Sequence, residues 1–216
     1  VTMFNISGMT YIRLTLNNLS GSLPPSIGHI LPNLETLNLA HNHLTGVIPD
    51  SISNMTKLFI LELSLNHFTG SIPRSLGSLN VLETLNVGSN HLTTGYPQEM
   101  SIISSLVNCE SLRVMILSHN PIKGILPHTI ANFSNSLEKF ITSTCELEGS
   151  IPPEIGNLSG LVELDLSSNY LTGQFPLAFE GLSNLEALEL QNNRILGSLP
   201  PYLCKFRSLT LLNLSE

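Results

Sequence analysis

The chain has 216 residues, of which 42% are hydrophobic and only 12% charged, and its formal net charge is −7. An acidic chain without a Lys/Arg cluster lacks the basic surface that binds nucleic acid, and an anionic membrane surface would repel it. The cysteines Cys109, Cys145 and Cys204 are widely separated and odd in number, which predicts neither a disulfide framework nor a metal motif. Composition therefore argues against nucleic-acid binding and direct membrane contact.

An internal repeat runs through the whole chain. The pattern L-x-x-L-x-L-x-x-N-x-L-x-G-x-I-P recurs with successive steps of 25, 24, 24, 30, 25, 24 and 24 residues. Its asparagine position is occupied in chain order by Asn17, Asn42, Asn66, Asn90, Asn120, Cys145, Asn169 and Asn193. Repeats of this period indicate a solenoid. We expect residues 1–216 to form one array of about eight repeats and a partial ninth strand, as an internal fragment without caps.

Each L-x-L segment predicts a short strand. Side chains alternate between the two faces of a strand, so the leucines point inward and the residues between them point outward. Pairs of apolar residues at helical spacing follow the prolines, as in Ile52 and Met55, and predict a short helical turn on the outer wall. The expected fold is an α/β repeat solenoid, a right-handed superhelix with a parallel concave β-sheet and a short helical or 3₁₀ outer wall.

The asparagine positions, which stack from unit to unit as a ladder, and the turn positions have separate physical requirements. A buried asparagine amide can satisfy backbone groups of its own turn and of the neighbouring unit, and Cys145 can fill the same position as a small buried group. Glycine in G-x-I-P suits a bend with positive φ. The fourth unit departs from this, because Thr94-Gly95-Tyr96-Pro97 predicts an altered turn.

The longest step contains an insertion. It places six extra residues within Ser104–Glu110, in register with the outer wall. We expect this insertion to bulge outward without breaking the sheet.

The L-x-G-x-I-P units resemble the plant-specific leucine-rich repeats of receptor-like kinases and receptor-like proteins, over the whole chain. Segments such as Ile151–Leu158 and Ser105–Cys109 resemble the subgroup that includes pattern-recognition receptors for bacterial proteins. The resemblance implies a single-pass plasma-membrane parent with an extracellular ligand-binding ectodomain, usually followed by a Ser/Thr kinase. It implies a protein or peptide ligand, signalling in defence or development, and allows a leucine-rich-repeat co-receptor kinase as a further partner.

A second interpretation is open at this stage. Soluble or membrane-anchored leucine-rich-repeat proteins without a kinase, such as inhibitors of cell-wall-degrading enzymes, share the same repeat. The chain has no G-x-G-x-x-G loop and no H-R-D or D-F-G triplet, so these residues themselves predict no kinase activity. An open concave sheet also lacks the desolvated pocket in which Glu163 and Asp165 could act as acid and base. No enzyme activity and no cofactor are predicted for the chain.

Sequons lie at regular places in the repeat. Asn5, Asn54 and Asn157 each lie four residues before the first apolar position of a strand, and Asn132 lies five before it. That position is on the outer wall, away from the concave face, so these four asparagines are predicted glycosylation sites. Asn213 also belongs to a sequon but points from a strand onto the concave face, and we predict that it is not occupied.

The outward strand positions form the predicted recognition surface, because solenoids present their concave sheet to partners. Two neighbouring clusters occur there, one of exposed apolar groups and one in which Asp165 and Glu189 place like charges on adjacent strands, with Glu163 beside them. The predicted ligand-binding residues are Val114, Ile116, Lys139, Ile141, Glu163, Asp165 and Glu189. They suit a peptide with apolar and basic groups.

Three histidines follow the ladder asparagine in consecutive units. His43, His67 and His91 are expected to stack along the array. No carboxylate or cysteine completes a ligand set, so they are interpreted as surface residues and no metal site is predicted.

Overall fold

A computed structural model of the chain describes residues 7–94 and 100–215. Asn5 and the segment Gly95–Pro97 lie outside these residues. A nine-stranded parallel sheet runs along the described chain, with each strand paired to the strand of the next repeat. Its strands are Tyr11–Arg13, Thr36–Asn38, Ile60–Glu62, Thr84–Asn86, Val114–Ile116, Lys139–Ile141, Glu163–Asp165, Ala187–Glu189 and Leu211–Asn213. This is the predicted concave sheet.

The register of the concave sheet follows the repeat without a slip. The central leucine of each triplet pairs with its equivalent in the next unit, as Leu37 does with Leu61 and Leu164 with Leu188. These central residues are buried, because alternation turns them away from the concave face and into the core. At the last strand Leu212 is 41% exposed, whereas Leu188 in the same column is fully buried.

The outer wall consists of short helices. In the described part of the chain, two are α-helical, at Ile27–Ile30 and Ser101–Leu106. The others are 3₁₀-helices at Asp50–Asn54, Arg74–Ser78, His128–Asn132, Pro153–Asn157, Leu177–Gly181 and Pro201–Lys205. In most units one or two apolar residues of the turn are buried, such as Ile52 and Leu76, so the wall closes the core opposite the sheet.

The insertion lengthens the wall helix. The helix Ser101–Leu106 begins before the predicted insertion and buries Ile102, Ile103 and Leu106. A Cβ at Gly77 would lie 2.2 Å from the carbonyl oxygen of Ser105, which shows how closely this helix packs on the preceding wall segment. The first part of the predicted insertion, Ser104–Leu106, is therefore helical and packs on the wall, and the outward bulge of the remaining residues stays a prediction. The prediction of an unbroken sheet is confirmed, since Leu85 pairs with Met115 across the long step.

Among residues 7–94 and 100–215, two further parallel sheets lie after the asparagine positions, and the sequence interpretation missed both. The first side sheet contains Ser20–Ser22, His43–Val47, His67–Ser71 and His91–Thr93. The second side sheet contains Gly124–Ile125, Leu147–Ser150 and Tyr170–Thr172. Between them the backbone N–H of Thr94 donates to the carbonyl oxygen of Ile122 at 3.1 Å, so the units stay connected where the sheets divide.

The glycine of each side strand has two functions. Gly70 has a φ of 76°, and a Cβ there would lie 3.0 Å from Cγ1 of Val47 in the preceding unit. Glycine therefore supplies the left-handed backbone conformation and also leaves room for the side chain of its neighbour. The predicted bend with positive φ is confirmed.

The asparagine ladder connects the units through buried amides. Asn66 Nδ2 donates to the carbonyl oxygens of Leu39 at 2.9 Å and Leu63 at 3.2 Å, while Asn66 Oδ1 accepts from the backbone N–H of Leu44 at 3.0 Å. Each amide thus satisfies backbone groups of its own unit and of the preceding one, as predicted. The residue before each ladder position has positive φ, between 53° and 58°, at Leu16, His41, Leu65, Ser89, His119, Thr144, Ser168 and Asn192.

Cys145 fills the ladder position only in part. Its Sγ donates to the carbonyl oxygen of Leu117 at 3.3 Å, but it has no amide oxygen to accept from the preceding unit. The backbone N–H of Ile122 instead donates to the carbonyl oxygen of Asn120 at 2.7 Å. Lys123 and Glu146 beside this position both have a φ of 58°, an unfavourable conformation for residues with a Cβ. Cys145 therefore makes fewer ladder hydrogen bonds than Asn120 does in the preceding unit.

Candidate ligand-binding face

The predicted apolar cluster forms one continuous patch on the concave sheet. Val114 pairs with Lys139, and Ile116 pairs with Ile141, on adjacent strands. Val114, Ile116 and Ile141 are each half-buried, because neighbouring side chains on the same face shield them from water. The three side chains together form a continuous apolar surface on the concave face.

An ion pair borders this patch. Lys139 Nζ lies 2.6 Å from Glu163 Oε2 on the next strand. The sequence interpretation grouped Glu163 with the two exposed carboxylates, but its charge is balanced locally by Lys139. The pairing could have been expected from the register, since both residues occupy the same position of adjacent repeats. The uncompensated acidic cluster is therefore smaller than predicted.

Asp165 and Glu189 remain as the acidic end of the surface. They are register partners on adjacent strands, as expected from the spacing. Asp165 Oδ1 accepts from the backbone N–H of Ser167 at 2.9 Å, and Glu189 Oε2 accepts from Gln191 Nε2 at 3.0 Å. These hydrogen bonds hold each carboxylate in place without cancelling its charge. Ile141 pairs with Asp165 in the same column, so the apolar patch and the acidic pair are contiguous.

A second charged pair lies at the edge of the patch and was missed by the sequence interpretation. The Arg113 guanidinium contacts both carboxylate oxygens of Glu138, with Nη2 at 2.8 Å from Oε1 and 2.9 Å from Oε2. Both residues stand one position before an outward strand residue, in neighbouring repeats. The same register argument that places Lys139 beside Glu163 would have found them.

The concave face of the first four units is polar and internally hydrogen-bonded. Tyr11 Oη donates to Glu35 Oε2 at 2.6 Å, and Asn86 Nδ2 donates to Glu62 Oε2 at 2.8 Å. The hydrogen bond and the charge of Glu35 raise the pKa of Tyr11. Thr36 is the first residue of its concave-sheet strand, yet it is buried beside its register neighbours Tyr11 and Ile60. Several polar groups of this half therefore satisfy one another, whereas the buried Thr36 Oγ1 has no hydrogen-bond partner.

Three of the predicted glycosylation sites lie on the outer wall. Asn54, Asn132 and Asn157 are each the last residue of a 3₁₀-helix, and each is exposed. Asn54 Nδ2 lies 3.3 Å from Nε2 of His29, its neighbour in the preceding unit. Asn5 lies outside the described residues. Asn213, predicted to be unoccupied, lies in the last strand of the concave sheet.

The histidines stack as expected. The ring centroids of His43 and His67 are 5.9 Å apart, and those of His67 and His91 are 5.7 Å apart, with the rings within 12° of parallel. All three side chains are exposed at the start of side strands. In residues 7–94 and 100–215, no group of three or more His, Cys, Asp or Glu side chains is arranged to hold a metal ion.

The cysteines are unpaired, which confirms the prediction that they form no bridge. Cys109 and Cys145 are buried and Cys204 is exposed. Burial raises the pKa of the Cys109 thiol to about 11 and that of Cys145 to about 12, so both are protonated at neutral pH. Among the described residues, no helix is long and apolar enough to cross a membrane.

Comparison with known proteins agrees with this geometry. The family described as "Leucine rich repeat" matches residues 7–68, 32–92 and 159–216, more than half of the chain, and a related description of the same repeat matches residues 111–133. The chain belongs to the leucine-rich repeat family. Its resemblance to plant leucine-rich-repeat receptors is confirmed, since the curated relatives are plant receptor kinases and receptor-like proteins.

This leucine-rich repeat chain is 40% identical over 68 residues to "Receptor kinase-like protein Xa21" of Oryza sativa subsp. japonica, covering 32% of the chain and 7% of the relative. The solved structure "Plant peptide hormone receptor RGFR1 in complex with RGF2" superposes with a TM-score of 0.90 at 35% identity, covering 99% of this chain and 33% of that one. The Arabidopsis receptor kinase HAESA, in complex with the peptide hormone IDA and the co-receptor SERK1, gives a TM-score of 0.89 at 31% identity, covering 99% and 35%.

The leucine-rich repeat chain is homologous to plant receptor ectodomains, and its fold is generally non-catalytic. It spans less than a fifth of the length of the curated relatives it matches. The relatives are receptors, so the comparisons give the inhibitor interpretation no better support than the receptor interpretation.

Proposed function

We propose that this chain is part of the extracellular ligand-binding region of a plant receptor and perceives a peptide or a microbial protein. The observation that carries the proposal is the contiguity of the Ile116–Ile141 apolar patch with the Asp165–Glu189 carboxylate pair on one concave sheet. The role is binding and not catalysis. The parent is a single-pass plasma-membrane protein with a Ser/Thr kinase on its cytoplasmic side.

Similarity to solved receptors supports the proposal. RGFR1 was solved with RGF2, and HAESA with the peptide hormone IDA and the co-receptor SERK1. Both superpose on this chain over 99% of its residues, so the same sheet is available here. A protein or peptide ligand on the concave face and a co-receptor kinase as further partner are the corresponding proposals for this chain. Glycans at Asn54, Asn132 and Asn157 would occupy the wall and leave the concave face open.

The side chains of the concave face indicate which groups the ligand carries. An apolar side chain covering Ile116 and Ile141 removes apolar area from water, and a Lys or Arg side chain reaches the two carboxylates. Adjacent strands are separated by about 4.8 Å, and an extended peptide advances about 3.4 Å per residue. The midpoint of Ile116 and Ile141 lies two strand steps, about 9.6 Å, from the midpoint of Asp165 and Glu189. An extended peptide covers that distance in about three residues, so its apolar and basic residues are expected about three positions apart. Val114, Lys139 and Glu163 form the border of this surface.

A peptide display experiment tests the proposal. Random 12-residue peptides selected on the chain are expected to contain a basic residue about three positions from an aliphatic or aromatic one. The Asp165→Lys, Glu189→Lys double variant should weaken binding of the selected peptides at least tenfold, mainly through slower association at low salt. The Ile116→Asp variant should weaken it through the apolar patch. Equal binding to the unchanged chain and to both variants would place recognition elsewhere.

A further inference from the structure

The second side sheet differs in surface chemistry from the first. In the first four units the position after the ladder asparagine is Asn18, His43, His67 or His91, and the position two residues later is Ser or Thr. In the sixth to eighth units the same two columns contain Glu146, Glu148, Tyr170 and Arg194. The register of the side strands brings these residues together, with Glu148 opposite Tyr170. The repeat pattern explains neither the aromatic ring nor the charges.

These side chains surround a shallow cleft of about 450 Å³, lined by Glu148, Gly149, Tyr170, Thr172 and Arg194. The Arg194 guanidinium carbon lies 5.1 Å from the centroid of the Tyr170 ring, in a cation–π contact. The backbone N–H of Arg194 donates to the carbonyl oxygen of Leu171 at 2.8 Å. Ring and guanidinium are thus held together by contacts on both backbone and side chain.

The cleft contains one negative group, the Glu148 carboxylate, and one positive group, the Arg194 guanidinium. Among residues 7–94 and 100–215, neither Glu148 nor Arg194 makes an ion pair. The neighbouring charges Lys123 and Glu146 pair with each other at 3.3 Å and add no net charge. An anionic ligand attracted to Arg194 would meet the Glu148 carboxylate, and a cationic one attracted to Glu148 would meet the guanidinium. The balance of charge favours a neutral ligand.

The hydrogen-bond donors and acceptors of the cleft indicate which class of ligand it can bind. The Glu148 carboxylate can accept hydrogen bonds from two hydroxyl groups, and the Arg194 guanidinium can donate to hydroxyl oxygens in a fixed fork. The Thr172 hydroxyl can both donate and accept. The Tyr170 ring, 45% exposed, supplies an apolar face beside these groups. A sugar ring offers neighbouring hydroxyls that donate and accept, together with an apolar C–H face. The open cleft also lets a chain of sugars enter from the side.

We propose that the cleft formed by Glu148, Tyr170 and Arg194 binds neutral oligosaccharide. One hexose ring packs against Tyr170, and its hydroxyl groups bridge Glu148 and Arg194. The site lies on the second side sheet and involves none of the residues of the proposed peptide surface. The chain therefore has two recognition surfaces of different chemistry. The concave face binds a peptide, and the cleft on the second side sheet binds a carbohydrate.

Saturation-transfer NMR and calorimetry with three neutral hexamers, cellohexaose, mannohexaose and xylohexaose, test the site. At least one hexamer should bind, and Tyr170→Ala should weaken it about tenfold by removing the stacking face. Glu148→Gln should weaken it less while allowing the anionic trigalacturonic acid to bind. Because Tyr170 and Glu148 are exposed, both variants are expected to keep the circular dichroism spectrum of the unchanged chain.

The matched control is His67→Ala, an exposed residue of the same column on the first side sheet, which should leave sugar binding unchanged. Failure of all three hexamers to bind would overturn the proposal. Equal affinity of the bound hexamer for the Tyr170→Ala variant would also overturn it, as would preferential binding of trigalacturonic acid to the unchanged chain. Peptide binding on the concave face is measured separately, so either proposal can fail alone.

Discussion

Lys139 and Glu163 form an ion pair across two adjacent strands of the concave sheet, with Nζ 2.6 Å from Oε2. The two side chains are 45% and 27% exposed, so water screens the attraction. The pair therefore matters more for the charge pattern seen by a ligand than for folding. With Glu163 neutralised, the acidic end of the surface begins at Asp165.

Lys139→Ala should lower the free energy of unfolding by less than about 1 kcal/mol, because exposed ion pairs contribute little. Urea denaturation measures the change, and Lys123→Ala, at the more exposed Lys123–Glu146 pair, provides the comparison. The same Lys139→Ala variant should bind basic peptides more tightly, since the freed Glu163 adds a carboxylate. A loss of several kcal/mol would show that the pair is a structural element.

Asn66→Ala should be strongly destabilising. The substitution removes donors to Leu39 and Leu63 and the acceptor for the N–H of Leu44, all in the buried ladder. Leaving such groups unsatisfied costs about 2–4 kcal/mol in total. Urea denaturation should show this loss, whereas Asn80→Ala on the exposed outer wall should change stability by less than about 0.5 kcal/mol. Equal effects for the two variants would contradict the ladder assignment.

Cys145→Asn should stabilise the chain. The new amide oxygen would accept from the backbone N–H of Ile122, as Asn120 does from Leu92 at 2.9 Å, in exchange for the present bond from Ile122 to the carbonyl oxygen of Asn120. The expected gain is about 0.5–1 kcal/mol, because amide N–H donors replace the weak thiol donor of Cys145. Thermal unfolding measures it, with Cys145→Ala as the control that keeps a small side chain but adds no acceptor. A lower midpoint for Cys145→Asn would mean that the sixth unit cannot accommodate the standard ladder residue.

Native thiols should differ in reactivity. Cys204 is exposed, while burial keeps Cys109 and Cys145 protonated with pKa values raised to about 11 and about 12. A thiol reagent at pH 8 should therefore modify Cys204 at once and the other two only after denaturation. Counting modified thiols by mass spectrometry with and without guanidinium checks this. Rapid modification of all three in the folded chain would contradict the burial of the two core cysteines.

The same thiols make stability depend on alkaline pH. Above the ordinary thiol pKa of 9.0, the unfolded chain loses protons that the folded chain retains up to the raised pKa of about 11 at Cys109 and about 12 at Cys145. The free energy of unfolding should therefore fall as pH rises above about 9. Cys109→Ala and Cys145→Ala together should flatten this slope in denaturation experiments. An unchanged slope in the double variant would mean that other groups cause the loss of stability at alkaline pH.

Gly70→Ala should destabilise the first side sheet. The φ of 76° is unfavourable with a Cβ, and the new methyl would lie 3.0 Å from Cγ1 of Val47. We expect a loss of about 1–2 kcal/mol. Adding Val47→Ala should recover the part of the stability loss that comes from the close contact and leave the part that comes from the positive φ. A double-mutant cycle separates the two contributions. Gly8→Ala is the control, because no atom lies within 4 Å of its added Cβ.

The sequence by itself determined the solenoid, the register of the concave sheet and the stacking of His43, His67 and His91. It could do so because a repeat of nearly constant length places equivalent residues on neighbouring strands, and strand alternation then decides which side chains face out. The columns that contain Ile116, Asp165 and Glu189 follow from the same rule.

Only the tertiary structure decided which neighbouring side chains form ion pairs, which are buried, and where the side sheets form. The side sheets depend on the left-handed conformation of glycines such as Gly70, which interrupts the alternation that marks a strand in sequence. The burial of Thr36 and the pairing of Lys139 with Glu163 depend on how the side chains of adjacent units lean across the sheet. Backbone placement repeats with the sequence, whereas charge balance and exposure depend on side-chain contacts between units that no single repeat encodes.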